Sequence, residues 1–239
     1  MVNANSINSI ELKNISKAYN KNTMESLAVK NISAAFRQGE FTVITGKSGS
    51  GKSTLLNILS GIDRPTDGEV FHGGTRLRDM SENKLARWRG KNIGIVFQFF
   101  QLIPTLTVME NILLPMDFCN IIPVGRRREK ARNLLERMDV IQYANNLPLT
   151  ISGGEQQRVA VARSLANAPD FIVADEPTGN LDTGNAERIV ELFREMVSEG
   201  KSVIMVTHNN EIAADADHIL LMSNGELISD TDDTKAVNQ

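Results

Sequence analysis

The stretch "FTVITGKSGSGKST", Phe41–Thr54, decides the fold. Phe41–Thr45 is a short apolar run rich in β-branched side chains, which reads as a buried strand. Gly46-Lys47-Ser48-Gly49-Ser50-Gly51-Lys52-Ser53 then fills every fixed position of the pattern GxxxxGK[ST]. After it, "KSTLLNILSGI" clusters its apolar residues on one helical face. Strand, glycine-rich turn, helix is the context in which this pattern holds a phosphate. Glycines let the backbone turn its N–H groups inward as a nest for anionic oxygens, and the helix N-terminus adds its dipole. Lys52 is placed to reach the β- and γ-phosphates. The Ser53 hydroxyl, followed by Thr54, is placed to ligate Mg2+.

Working outward, four more short apolar runs bounded by turn residues read as buried strands: Ile93–Phe97, Phe171–Asp175, Ser202–His208 and His218–Met222. Helical patterns alternate with them. "NAERIVELFREMVSEG" carries Ile189, Val190, Leu192, Phe193, Met196 and Val197 near a 3.6-residue period, with Gly200 as its stop. Strand, loop, helix, strand is the signature of a parallel sheet. Residues 99–166 differ: "VMENILLPMDF", "GRRREKARNLLERMDV" and "GGEQQRVAVARSLA" all read as helix, punctuated by Pro115, Pro123 and Pro148. They read as a helical subdomain set into an α/β core of residues 1–98 and 167–230, with a polar tail over 231–239.

Bulk properties narrow the function. A chain of 239 residues suits one large α/β domain. The net charge of −3 argues against a protein that wraps nucleic acid by neutralising phosphates, so no nucleic-acid partner is expected. The single cysteine, Cys119, leaves no intrachain disulfide and no CxxC metal site; it reads as a small packed residue in a reducing compartment. The N-terminal "MVNANSINSIELKNISKAY" lacks a basic start followed by an apolar run, and no stretch approaches the ~18 apolar residues of a spanning helix. Work at a membrane is therefore expected to go through a partner.

"FIVADEP" sets Asp175 and Glu176 at a strand end. Adjacent carboxylates beside a phosphate site are costly without a cation. Asp175 fits a group that positions Mg2+; Glu176, expected on the other side of the strand, fits one that polarises an attacking water. Ser152-Gly153-Gly154 open another helix. Ser152 suits an N-cap, yet a helix N-terminus is also an anion grip, and the chain already has one.

"ISGGEQQRVAVARSLANAPDFIVADEPTGNLD" resembles the signature segment, Walker B strand and D-loop of ATP-binding cassette (ABC) ATPases, and the resemblance runs from about residue 10 to residue 228. It implies a P-loop NTPase (RecA-like) core with a mostly parallel sheet, an N-terminal antiparallel β part and an inserted helical subdomain. It also implies ATP and Mg2+ as cofactors, and a head-to-tail homodimer in which Ser152, Gly153 and Gly154 cap the ATP held by the partner's P-loop. On the same resemblance, Tyr19 matches the aromatic that stacks on adenine, and Gln98 the glutamine that senses Mg2+ and the γ-phosphate. Asp182 matches the D-loop aspartate, and His208 the switch histidine at the γ-phosphate. His72 and His218 lack such context and read as structural. Ile151 stands where the family usually has leucine, a conservative change not expected to cost activity, and Glu155 where it usually has glutamine, a change frequent in one branch of the family.

"SGGEQQR", "DEPTGNLD" and "FQLIPTLTVMENILLP" are most similar to the branch of lipoprotein-releasing and macrolide-exporting ATPases. That branch implies a peripheral subunit on the cytoplasmic face of the membrane, driving a permease for lipoprotein, drug or peptide. The permease is expected near Phe97–Val108, where Phe99, Phe100, Leu102, Ile103 and Leu106 either line a groove or pack into the subdomain. Arg126-Arg127-Arg128 read as a solvated helix start, the alternative being a face for anionic lipid headgroups, and Met116, Met138 and Met196 read as core filler. Two alternatives stay open: a regulatory ATPase acting through a non-transporting membrane partner, and a soluble ABC ATPase acting on nucleic acid or ribosomes. The latter usually carries two cassettes or long coiled-coil insertions, and this chain has neither.

Overall fold

The computed structural model describes residues 9–19 and 27–231; the expected tail lies outside them apart from Thr231. The order is β1 (Ile10–Ala18), β2 (Leu27–Phe36), β3 (Phe41–Thr45), α1 (Lys52–Leu59), β4 (Asp67–His72), β5 (Thr75–Arg76), α2 (Glu82–Asn92) and β6 (Ile93–Phe97). Then follow α3 (Val108–Cys119), α4 (Val124–Arg137), α5 (Gly153–Ser164), β7 (Phe171–Asp175), α6 (Thr183–Ser198), β8 (Ser202–Val206), α7 (Asn210–Ala214), β9 (His218–Ser223) and β10 (Glu226–Asp230).

The strands form two sheets. One runs β10-β9-β3-β8-β7-β6, parallel except for β10 at the edge. Its inner strands alternate between two cores, as a period of two requires. Val43, Ile172, Ala174, Val203 and Met205 face the core built with α3, α4, α5 and α6. Ile44, Phe171, Val173, Ile204 and Val206 face the core shared with α1 and the second sheet. That sheet is antiparallel, β2-β1-β4-β5. Burial on both faces is why the inner strands are short, uniformly apolar runs. The α/β class, the parallel sheet and the N-terminal antiparallel part all stand as expected.

The register aligns the strand ends that carry the chemistry. Phe97 lies opposite Asp175, Asp175 opposite Val206, and Val206 opposite Ile44. The segments that follow β6, β7, β8 and β3 therefore leave the sheet at one edge, the carboxyl end, where open α/β sheets bind ligands.

Pro115 lies inside α3, within the segment read as helix, and the burial of Ile112 and Met116 offsets the lost hydrogen bond. One local expectation is corrected. Arg127 is not solvated. It is buried at the start of α4 and donates to the Ile122 carbonyl, Asn120 Oδ1 and Asp117 Oδ1, pinning the α3–α4 turn. The segment before α3 is held by an unread residue, buried Asn111, whose amide takes the Ile103, Leu106 and Thr107 carbonyls and whose Oδ1 accepts the Ile103 N–H. Met116, Met138 and Met196 are core, as expected.

Candidate nucleotide site

The loop after β3 is built by close approach. Gly46 has φ 144° and Gly51 φ 97°. A Cβ on Gly46 would stand 2.1 Å from the Met222 carbonyl oxygen of β9, and one on Gly51 2.1 Å from that of Ala28 in β2. Gly51 is the N-cap of α1 and offers no side-chain cap, and no acidic residue sits in the first turn. The helix thus presents its free N–H groups to the cleft, the arrangement that binds anions. Lys52 Nζ folds back onto the Gly46 and Lys47 carbonyls at 2.8 and 3.0 Å. Ser50 Oγ is buried in the loop without a hydrogen-bond partner.

Across the cleft, Ser53 Oγ donates to Asp175 Oδ1 at 3.1 Å. Burial, with the neighbouring Glu176 charge, pushes the Asp175 carboxyl up, against the pull of the Ser53 hydrogen bond and Lys52. Such a carboxylate gains from a cation. Glu176 turns off β7 with φ 47°, its N–H held by the Val206 carbonyl. This turn corrects the expectation that Glu176 points to the opposite side of the strand: it shares the cleft with Asp175. Its Oε2 stands 2.6 Å from His208 Nδ1. The cleft, about 700 Å3, is lined by Ala28, Ser48, Gly49, Gly51, Lys52, Ser53, Thr54, Gln98, Asp175, Glu176 and His208. Tyr19 flanks it, its hydroxyl 3.2 Å from Thr54 Oγ1 and its ring exposed.

Among the described residues, no three His, Cys, Asp or Glu side chains are grouped to hold a metal alone. Ser53, Asp175 and Gln98 instead offer a hydroxyl, a carboxylate and an amide oxygen. That oxygen set suits Mg2+, which takes one or two protein ligands and completes its shell with phosphate and water.

Eight of the residues named from sequence are not among these lining residues: Tyr19, Gly46, Lys47 and Ser50 adjoin the cleft, whereas Ser152, Gly153, Gly154 and Asp182 belong to other helix starts. Ser152 is the N-cap of α5 and forms a capping box with Glu155: its N–H and hydroxyl both donate to Glu155 Oε2, at 2.7 and 2.8 Å. This gives the unusual Glu155 a local use. A Cβ on Gly154 would meet Asn185 Oδ1 at 2.3 Å, whereas Gly153 has only the Phe100 ring at 3.5 Å. Asp182 is the N-cap of α6 and holds Asn185 N and Nδ2; these bonds keep its carboxyl below the ordinary range. Sequence reading missed Gln157, Arg163 and Asn180, whose side chains hold the segment around Gln98.

A phosphate-cradling loop at the carboxyl edge of a parallel sheet, faced by Asp175, Glu176 and His208, defines a P-loop nucleotide hydrolase. Residues 29–179 match the family described as ABC transporter. An uncharacterised ABC transporter ATP-binding protein of Thermotoga maritima is 46% identical over 190 residues, 80% of this chain and 81% of that protein. The macrolide export ATP-binding/permease protein MacB of Aggregatibacter actinomycetemcomitans is 39% identical over 94% of this chain, which spans 35% of that longer protein. Among solved structures, the dimeric post-hydrolysis state of the ATP-binding cassette MJ0796 bound to ADP and Pi superimposes with a TM-score of 0.86 at 40% identity. That match covers 92% of this chain and 97% of the other; a cassette of that name is from Methanocaldococcus jannaschii. The chain belongs to the ABC transporter family. It is an ATP hydrolase that uses ATP and Mg2+.

Proposed function

We propose that this ATPase works as a head-to-tail homodimer with two composite sites and drives an exporter- or extractor-type permease for lipoprotein, drug or peptide. The observation that carries the reading is the absence of Ser152, Gly153 and Gly154 from the lining of a cleft that gathers the P-loop, Gln98, Asp175, Glu176 and His208. A second copy would bring those residues, with Asp182, to the open side of the cleft. The dimeric state of the MJ0796 cassette and the export function in the names of MacB and the pyoverdine exporter PvdT support it.

In this reading Lys52 and the loop N–H groups hold the phosphates, Tyr19 holds the base, and Ser53, Gln98 and Asp175 hold Mg2+. When bound, the metal supplies charge neutralisation at the transferring phosphoryl group. Glu176 accepts a proton from water, and His208 stabilises the γ-phosphate or keeps the water in line. The permease sits in a groove of about 740 Å3 between α2, α3 and α5. Phe97, Gln101 and Phe118 line it with Arg87, Arg89 and Arg163, whereas Phe99, Phe100, Leu102, Ile103 and Leu106 are not among its lining residues. The chain thus lies at the cytoplasmic face of the membrane; among the described residues no helix is long and apolar enough to cross it.

The test is Glu176→Gln. It is expected to keep ATP binding, slow hydrolysis by about 100-fold or more, and run as a dimer in size-exclusion chromatography only with ATP. Adding Ser152→Arg is expected to return it to a monomer that still binds ATP. Fast turnover by Glu176→Gln, or an ATP-dependent dimer that tolerates Ser152→Arg, overturns the reading.

A further inference from the structure

Every carbonyl from Phe97 to Gln101 has a hydrogen-bond partner, and four of the five are held by side chains from elsewhere in the chain. Gln157 Nε2 donates to Phe97 O at 3.3 Å and also to Pro177 O at 2.6 Å. Asn180 Nδ2 donates to Gln98 O at 3.1 Å. Arg163 Nη2 donates to Phe100 O at 2.8 Å and Nη1 to Gln101 O at 2.5 Å. The fifth, Phe99 O, takes the Gln101 N–H in a three-residue turn. Gln157 and Arg163 both belong to α5, the helix that Ser152 caps.

The backbone they hold is strained. Phe100 has φ 55° and Gln101 φ 49°, consecutive non-glycine residues in the left-handed region, which is costly for side chains with a Cβ. Such a conformation persists only where the surroundings over-determine it. Arg163 holds the carbonyls of both residues. Its planar fork spans them, no carboxylate is among its partners within the described residues, and partial withdrawal from water lowers its pKa. Holding a partly buried guanidinium against two carbonyls carries a desolvation cost, which points to work for the loop's position. The Gln98 amide packs beside Gly179, where a Cβ would lie 2.8 Å from its Nε2.

We propose that Arg163 is a positioning residue for Gln98, suspending the loop that carries this glutamine from the helix headed by Ser152. It rests on the role proposed for Gln98 above. A shift of α5 on dimer closure then moves Gln98 directly, because the intervening segment hangs from α5 by its own carbonyls. Arg163 also lines the groove assigned to the permease, so an occupant of that groove reaches Gln98 through the same side chain.

The test is a double-mutant cycle on ATP hydrolysis by the full chain, with Arg163→Ala, Gln98→Ala and the pair. Arg163→Ala is expected to lower kcat about tenfold while KM for ATP stays within about twofold. In the Gln98→Ala background it is expected to lower kcat by less than about twofold, because the group it positions is gone. A residue that merely props the fold would lower kcat by the same factor in both backgrounds, and that result overturns the proposal. If Gln98→Ala hydrolyses ATP normally, the role of Gln98 fails and the proposal with it. If Gln98→Ala is slow but Arg163→Ala is not, only the proposal for Arg163 fails. Arg163→Lys keeps the charge without the fork and runs through the same cycle should the alanine variant not fold.

Discussion

Gly46 and Gly49 lie three positions apart in the same loop, and alanine at each should fail in a different way. Both have positive φ, 144° and 77°. At Gly49 nothing stands within 4 Å of an added Cβ, so Gly49→Ala carries only the backbone cost of the left-handed region. That cost is about 1–2 kcal/mol, and the loop keeps its path. At Gly46 the added Cβ stands 2.1 Å from the Met222 carbonyl oxygen and 3.0 Å from Ser50 Oγ. Ordinary contact needs more than 3 Å, so an atom must move by about 1 Å or more. Met222 cannot move easily, because it lies in β9, which pairs with β3 and β10. The loop must move instead, and a phosphate site displaced by that much loses its hydrogen-bond geometry. The assay is equilibrium titration with a fluorescent ATP analogue, read beside thermal unfolding. Gly49→Ala is expected to lower stability by about 1–2 kcal/mol with affinity within about tenfold of the parent. Gly46→Ala is expected to lose affinity by about 100-fold or more. Parental affinity for Gly46→Ala would show that the approach to Met222 does not shape the site.

Two further substitutions test the scaffold. Arg127→Ala removes a buried guanidinium from three acceptors and is expected to cost about 2 kcal/mol in chemical denaturation. Arg126→Ala and Arg128→Ala, both exposed, should stay within about 0.5 kcal/mol. His72 packs edge-on against Trp88 and Phe171 with its Nε2 buried and unpartnered; burial lowers its pKa, only partly opposed by Asp170. Below the ordinary histidine value near 6.5 the unfolded chain takes a proton that the folded one refuses, so stability should fall as pH drops from 7.5 towards 5.5. His72→Gln, which keeps an acceptor for the Trp88 N–H, should flatten that fall; an unchanged slope would mean His72 is not its source.

What could be read from the sequence follows from how each element is buried. β3, β6, β7 and β8 lie inside the parallel sheet or its paired edge and take apolar side chains on both faces, so composition alone marks them. β1 and β2 pair with repeated register shifts, with Asn14 and Asn31 at φ 51° and 48°, and a bulged strand does not keep a period of two. β10 is an edge strand with no buried residue and gives no apolar signal. Residues that line the cleft were legible where a motif is contiguous: Ser48, Gly49, Gly51, Lys52 and Ser53 in one, Asp175 and Glu176 in another. Contacts between motifs were not, because Arg163 and Asn180 meet the Gln98 loop only through the packing of α5 and the turn after β7. Arg127 was legible in principle. It is spaced four and eight residues from Ala131 and Leu135, which marks the buried face of α4, yet a run of three arginines masked that periodicity.

Several of the side chains assigned to the nucleotide already hold a bond within the chain. Lys52 rests on the Gly46 and Lys47 carbonyls, Ser53 on Asp175, His208 on Glu176 and Ser152 on Glu155. On the proposed reading, binding therefore exchanges hydrogen bonds rather than creating them, and the net gain from each exchange is small. The exceptions are the uncapped N–H groups of α1 and the raised Asp175 carboxyl, which have no full counterpart in the free protein. Most of the affinity of one subunit should then come from the phosphates at α1 and the metal at Asp175. The contribution of Ser152 should be weak in equilibrium binding to the monomer and large in the ATP-dependent dimer. On the proposed reading, that division suits a transport ATPase: nucleotide alone would be held without commitment, and the remaining free energy would be released only when two chains close, to be passed to a partner in the proposed α2–α3–α5 groove.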